Sequence, residues 1–380
     1  MGYFSNIKKS FKLKNYLNYI FVSAFLVVMI FMSNADMLSR SVTNLLSQIA
    51  YSIILAVSLN LVVGFLGELS LGHAGFMCVG AYIGCYFGNY IGALIHSKLL
   101  VIILSMLVGG VVAAIAGFII GLPALRLKGD YLAIVTLAFG EIVRNIFKNL
   151  DAFGGAMGLN TVKYKSSRLF IISFVVVLIV LILTQNLIRS KHGRAITSIR
   201  DNEIAAKAMG INVTYYKLFV FVISAFFAGI AGTLYGNFTT PVLYSFFSYN
   251  YSIEILVMVV LGGMGSINGS IIAATLITCV NFFLQANLSG DLAALKFLIY
   301  ALILIIVVLF NNAPAFSKLK EKLQIKKLFE KMSKHKPEVI KDDAADWQRI
   351  DSKIKMDEVL SVDLQTGSEI KQDKPEKEEE

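Results

Sequence analysis

Five ionisable side chains lie inside or beside apolar stretches, where a charge is costly and usually has a function. Glu141 and Arg144 are three residues apart, so they share one helix face and can pair. Glu68 and His73 lie within the glycine-rich stretch GFLGELSLGHAGF, and Glu254 opens a short apolar run. Such groups could form a proton relay, or they could be structural pairs. Because they are few and do not recur along one helix, structural pairing is the preferred interpretation.

Patterns for covalent or metal chemistry do not accompany these groups. The sequence contains no G-x-x-x-x-G-K-[ST] phosphate loop, no H-E-x-x-H zinc motif and no G-x-S-x-G nucleophile turn. Cys78, Cys85 and Cys279 lie in apolar runs without C-x-x-C spacing, which indicates small buried side chains. The sequence therefore predicts no catalytic residue, no metal site and no cofactor, and the chain is not expected to be an enzyme.

The polar segment NEIAAKAMGINVTYYKL has the features of a short helix between two apolar runs. Asp201 or Asn202 can cap its start, and Glu203 and Lys207 stand at the favourable i,i+4 spacing. Gly210 suits the left-handed position that follows a helix.

This segment would present a small apolar face made of Ala205, Ala206 and Met209. Two helical turns are too short to be stable alone, so the helix must lean on other structure. It could dock in a groove of a partner protein, or it could be a connector lying against its own chain.

The composition places these motifs in a membrane protein. Of the 380 residues, 56% are hydrophobic before glycine is counted and 16% are charged. Soluble proteins have about 45–50% apolar residues with glycine included and about 25% charged residues. The net charge of +10 is concentrated beside apolar runs, which is typical of membrane topology rather than of nucleic-acid binding.

The hydrophobic pattern predicts an all-α, polytopic integral membrane protein. A helix needs about 20 apolar residues to span a bilayer, and ten stretches qualify or nearly qualify. The eighth is short and could be a half-span or a broken helix. The predicted spans are residues 17–33, 42–66, 73–95, 99–121, 131–149, 169–188, 218–239, 251–262, 268–288 and 295–311.

Lysine and arginine predict that both termini are cytoplasmic. These residues cluster before the first span, in segment 189–217 and after residue 312, whereas loop 240–250 has none. Loop 151–168 is an exception, because its basic residues fall on the outer side in this topology.

Four regions follow from this topology. They are a cytoplasmic N-terminal segment (1–16), a transmembrane domain (17–312) that contains the cytoplasmic loop 189–217, a basic amphipathic juxtamembrane segment (313–341) and an acidic tail (342–380) expected to be disordered. The first apolar run could also be a signal peptide, but an uncleaved span is preferred because many spans follow.

Several motifs together resemble a known family. EIAAKAMG is similar to the EAA loop of ABC-transporter permease subunits, in which E-x-A-A-x-x-x-G forms the helix that contacts the ATPase. The stretches LNLVVGFLGELSLGHAGFMCVGAY, GLPALRLKGDYLAIVTLAFGEIVRN and VMVVLGGMGSINGSIIAA resemble the permease subunits of branched-chain amino acid ABC importers. The resemblance covers roughly residues 45–312 and leaves out the charged tail.

The resemblance implies a multi-pass protein of the bacterial plasma (inner) membrane, with partners that supply energy and substrate. These are a second homologous permease, two cytoplasmic ATP-binding subunits that bind the ATP, and an extracytoplasmic substrate-binding protein. Leucine, isoleucine and valine would cross by alternating access.

It also implies roles for individual residues. ATPase coupling is expected from Glu203, Ala205, Ala206, Met209 and Gly210. Glycines of the quoted motifs would shape the translocation path or pack helices: Gly64, Gly67, Gly72, Gly75, Gly80, Gly262, Gly263 and Gly265. Asp130, Glu141 and Arg144 are candidates for a polar lining.

Three alternatives remain at this point. A related permease group carries urea or short amides. An ion-coupled secondary transporter would work without ATPase partners. A membrane-anchored scaffold would depend on residues 317–380 rather than on the glycines of the spans.

Overall fold

The computed structural model describes residues 39–95, 97–127, 129–161 and 166–287, with Leu302 and Ile305. These residues belong to the first of two units into which the chain divides, Met1–Asn311 and Asn312–Glu380. The α-helices of the described part are α1 (Arg40–Asn60), α2 (His73–Gly92), α3 (Lys98–Ala124), α4 (Asp130–Asn149), α5 (Ser166–Arg189), α6 (Lys191–Asp201), α7 (Glu203–Ala208), α8 (Val213–Phe238), α9 (Tyr249–Gly262) and α10 (Ile267–Asn287).

The all-α prediction is confirmed by this arrangement. A π-helical segment, Leu61–Leu66, continues α1 and is followed by the loop Gly67–Gly72. Extended pairing in the described residues is limited to an isolated bridge between Leu159 and Val242.

The eight predicted spans from residue 42 to residue 288 each correspond to a helix. The largest shift is in α8, which begins at Val213 rather than at residue 218. Five helices of the described part are long and apolar enough to cross a membrane: Arg40–Leu66, Lys98–Ala124, Leu169–Arg189, Val213–Phe238 and Ile267–Gln285. The short eighth span is the 14-residue helix α9. Spans 17–33 and 295–311 lie outside the described residues, apart from Leu302 and Ile305, so the total of ten stays a prediction.

The centre of the bundle is α1 with its π-helical continuation. Every residue in the most apolar stretch of Arg40–Leu66 is buried, against 39% of those in α3 and in α5. Helices α5, α8, α9 and α10 all pack on α1. The outer helices therefore present apolar faces that suit lipid or another apolar subunit, whereas the most apolar stretch of α1 is covered by its own chain.

Small residues allow α2, α3 and α8 to pack at close range. Gly232 of α8 lies on the backbone of Met77 in α2. Gly109 of α3 faces Thr233 of α8, whose hydroxyl donates a hydrogen bond to the carbonyl of Gly80 at 2.9 Å. Close backbone approach and interhelical hydrogen bonds of this kind hold helices together where lipid removes the hydrophobic driving force.

Candidate functional site

The short helix α7 is built as its sequence predicts. The Asn202 side chain accepts a hydrogen bond from the amide of Ala205 at 3.0 Å, which caps the start. Gly210 follows the helix with a φ of +81°, and the amide of Ile211 donates to the carbonyl of Ala206 at 3.1 Å. Helix α7 is six residues long, and its two ends are fixed by these caps.

The structure divides the residues that were expected to share one face of α7. Ala206 is only 4% exposed, whereas Met209 is 83% exposed and Ala205 is also exposed. Ile204 adds to the outer surface at 81% exposure. The expectation of a single face was wrong because Ala206 is three residues from Glu203 and turns inward with it, while Ala205 and Met209 are four apart and turn outward. The exposed apolar surface is Ile204, Ala205 and Met209, and we call it the α7 surface.

The inner side of α7 meets a buried lysine that sequence reasoning treated only as a cytoplasmic charge. The ammonium of Lys217 in α8 lies 3.1 Å from a carboxylate oxygen of Glu203 and 2.5 Å from one of Glu68. The Lys217 side chain is 4% exposed and that of Glu68 is 14% exposed. Two carboxylates compensate the cost of burying this ammonium, and its short contacts are of the strong, charge-assisted kind.

Arg200, at the end of α6, contacts the π-helical segment that precedes Glu68. Its guanidinium donates to the carbonyl of Gly64 at 3.1 Å, and it also pairs with Asp201 at 2.9 Å. Gly67 has a φ of +83°, and a side chain there would meet the aliphatic part of Arg200 at 2.8 Å. Glycine is required at Gly67 both for this conformation and for this contact.

On its other side, the π-helical segment is attached to the turn between α9 and α10. The Asn60 side chain accepts from the amide of Gly265 at 2.9 Å and donates to the Ser266 carbonyl at 3.1 Å and to the Ser270 hydroxyl at 2.9 Å. Asn60 is fully buried, and Gly265 has a φ of +79°. A further predicted glycine of this turn, Gly263, has a φ of +88°.

Four other glycines predicted from the motifs lie where two backbones touch. A Cβ atom at any of them would collide with backbone, which cannot rotate away. The contacts are those of Gly72 with Thr136, Gly75 with Gly140, Gly80 with Gly229 and Gly262 with Gly269. In this conformation they are packing positions, and a role in a translocation path stays a prediction.

The predicted polar residues of α4 are at separate places. The predicted pair forms, with Arg144 2.6 Å from Glu141. The second oxygen of Glu141 accepts from the amide of Tyr249 at 3.0 Å, which joins α4 to the start of α9. Asp130 begins α4 and is exposed. The structure therefore does not bring Asp130 and the pair together as one lining.

The other two ionisable groups of the apolar runs have neutral partners. His73 is 2% exposed, and its Nε2 lies 2.7 Å from the hydroxyl of Ser58 in α1. Glu254 of α9 accepts a hydrogen bond from Asn281 of α10. Each contact joins two helices, and the described contacts do not connect these groups in a chain.

Comparison with known proteins places this architecture in a family. Residues 41–308 match the family described as "Branched-chain amino acid transport system / permease component". The chain belongs to this family. The match covers more than half of the chain, including α1 to α10 and all the contacts described above.

Named relatives agree with the family assignment. The high-affinity branched-chain amino acid transport system permease protein LivM of Salmonella typhimurium is 35% identical over 294 residues, which are 68% of this chain and 66% of that protein. LivM of Escherichia coli K12 is 35% identical over 277 residues, 63% of each chain. The chain thus spans just under two thirds of the length of these relatives, which are named as permeases and not as enzymes.

A second kind of permease is also similar over a shorter stretch. A probable branched-chain amino acid transport permease protein LivH of Methanocaldococcus jannaschii is 32% identical over 125 residues, 32% of this chain and 37% of that protein. No solved structure matches the chain.

Proposed function

We propose that this chain is a membrane-spanning permease subunit of an ATP-driven importer and that the α7 surface docks on a cytoplasmic ATPase subunit. The observation that carries the proposal is the geometry of α7. Its outer side exposes Ile204 and Met209, while Glu203 and Ala206 anchor its inner side to the rest of the chain. An anchored helix with exposed apolar side chains suits insertion into a groove of a partner.

The proposed partners follow from the family and from the two kinds of similar permease. A second permease subunit would pair with this chain, as its similarity to both LivM and LivH supports. Two ATPase subunits and an extracytoplasmic substrate-binding protein would complete the importer in the inner membrane of a bacterium. We propose the apolar faces of the outer helices as the surfaces that meet lipid and the second permease.

The proposed substrates are leucine, isoleucine and valine. The names of the relatives support this choice, and an apolar bundle with few ionisable groups suits an apolar side chain in transit. Transport would proceed by alternating access without covalent chemistry, with ATP bound and hydrolysed by the partner subunits.

The docking test compares two exposed methionines. Met209→Asp places a charge on the α7 surface, and Met157→Asp places the same charge at an equally exposed methionine outside α7; the two side chains are 83% and 85% exposed. In the transporter co-expressed with its partner subunits, Met209→Asp should reduce co-purification of the ATPase and uptake of labelled leucine, while Met157→Asp should retain co-purification. Normal ATPase binding by Met209→Asp would reject the α7 surface as the docking site.

The substrate test uses cells that lack this chain. Uptake of labelled leucine or valine at low concentration should be lost and should return with the wild-type chain. Normal leucine and valine uptake together with lost urea uptake would move the assignment to a urea or amide permease. Uptake that continues without any ATPase subunit would indicate an ion-coupled transporter.

A further inference from the structure

Lys217 joins three separate elements at the inner side of α7. Glu203 is the first residue of α7, Glu68 belongs to the loop after the π-helical segment, and Lys217 lies in the second turn of α8. The two ion-pair distances are 3.1 Å to Glu203 and 2.5 Å to Glu68. Because the side chains of Lys217 and Glu68 are 4% and 14% exposed, solvent screens their pair far less than it screens pairs at a surface. The side chain of Glu203 is 36% exposed, so its pair with Lys217 is partly screened.

The segment that leads to Glu68 has uncommon backbone geometry. Residues Leu61–Leu66 are π-helical, and Gly67 ends this segment in the left-handed conformation with a φ of +83°. π-Helical segments are rare and are frequently found at functional sites. The following loop is held to α4, since the amide of Leu71 donates to the hydroxyl of Thr136 at 3.0 Å.

A second contact runs from the end of α6 to the π-helical segment that precedes this loop. Arg200 comes just before α7 and binds the carbonyl of Gly64 at 3.1 Å. Gly64 in turn lies against the backbone of Gly265, in the turn between α9 and α10. Asn60 makes two hydrogen bonds to that turn and a third to Ser270 at the start of α10. A displacement of α6 and α7 would therefore act on the π-helical segment through Arg200 and on the loop Gly67–Gly72 through Lys217. From Gly64 it would also act on the turn between α9 and α10.

We propose that Lys217 is a positioning residue that transmits movement of α7 to the loop Gly67–Gly72 through Glu203 and Glu68. This proposal rests on the proposed function. If the exposed side of α7 docks on the ATPase, the buried side must pass the resulting movement to the rest of the permease. Lys217 holds both carboxylates at once, so α7 and the loop move together. Without its charge, α7 still docks, but its movement no longer reaches the bundle.

The experiment uses the whole transporter with its partner subunits, reconstituted in liposomes. Lys217→Met removes the charge and keeps most of the side-chain length, and Lys217→Arg keeps the charge. Lys98→Met, at an exposed lysine that begins α3, is the matched control. Each variant is assayed for membrane accumulation, ATPase co-purification, ATP hydrolysis with and without leucine, and leucine uptake.

The expected result is uncoupling. Lys217→Met should bind the ATPase and hydrolyse ATP at the basal rate, while leucine stimulation is lost and uptake falls about tenfold, a size comparable to typical allosteric effects on binding affinity. Lys217→Arg should recover most of the uptake, and Lys98→Met should match the wild type. A residue that merely supported the fold would lower the amount of protein and all activities together.

Glu68→Gln decides the question if Lys217→Met does not accumulate. This variant leaves Lys217 its partner Glu203, so the ammonium stays compensated, but it weakens the contact with the loop. It should give the same uncoupled behaviour. Wild-type uptake and leucine-stimulated hydrolysis in Glu68→Gln would overturn the proposal, and so would loss of ATPase binding. Failure of the wild-type chain to bind any ATPase would instead reject the proposed function.

Discussion

Replacing Gly80 with alanine tests whether the close approach of α2 and α8 sustains the bundle. The added Cβ atom would overlap the carbonyl oxygen and Cα of Gly229 and would lie 2.6 Å from its carbonyl carbon. All three atoms belong to backbone inside α8, so no side-chain rotation relieves the overlap. The two helices must therefore separate, and Met77 and Gly232, which touch one turn away, must separate with them.

The change in the free energy of unfolding caused by Gly80→Ala follows from two opposing effects. Inserting a methyl group into a packed core costs typically 1–3 kcal/mol, and a rigid backbone neighbour places this site at the upper end. Replacing glycine by alanine inside a helix gains about 0.5–1 kcal/mol. Gly80→Ala should therefore lower the free energy of unfolding by roughly 2 kcal/mol.

The control lies on the same helix. At Gly92 a Cβ atom would meet only a side-chain atom of Val101, at 4.0 Å. Gly92→Ala should therefore leave the free energy of unfolding unchanged or raise it slightly. Both variants are compared with the wild type by titrating purified protein in mixed micelles with a denaturing detergent. Equal stability of Gly80→Ala and Gly92→Ala would refute the reasoning that these backbones cannot move apart at low cost.

Three further outcomes are expected. Gly210→Val should weaken ATPase co-purification without loss of membrane protein. No atom would lie within 4 Å of the added Cβ, but the φ of +81° costs a β-branched residue about 1–2 kcal/mol. Gly210→Asn should be tolerated, and equal ATPase binding by the two variants would contradict this reasoning. Ala206→Trp should lower protein stability, because Ala206 is buried, whereas Ala205→Trp should leave stability intact and weaken only ATPase binding; a stable Ala206→Trp protein would show that this side of α7 is open. Glu141→Gln should destabilise the protein by up to about 1 kcal/mol in the same detergent titration, because it removes a partly exposed ion pair, and an unchanged midpoint would show that the pair is dispensable.

Features set by local spacing could be predicted from the sequence. The cap at Asn202, the left-handed Gly210 and the pairing of Glu141 with Arg144 all depend on residues within a few positions of each other. The eight helices that correspond to predicted spans could be predicted because an apolar run of sufficient length has few other structures available to it.

Contacts between distant residues could not be predicted in this way. Lys217 looked like one of several cytoplasmic charges, and its burial depends on Glu68, which reaches it from a loop far earlier in the chain. Asn60 lies 206 residues from Ser266, so no spacing rule connects them. The inward orientation of Ala206 has a similar origin, because helical periodicity tells which residues share a face but not which face is buried.

The central position of α1 has a consequence for how the protein is made. A polar residue such as Asn60 finds its partners Ser266 and Ser270 only after 206 and 210 further residues have been synthesised. At about 5–20 residues per second this interval is roughly 10–40 s. During that time a helix meant to be enclosed on all sides enters the membrane before most of the helices that will cover it. Its amide must meanwhile bind water, lipid head groups or the insertion machinery. A helix that the finished protein covers with its own chain therefore depends, while it is made, on surroundings that it later loses.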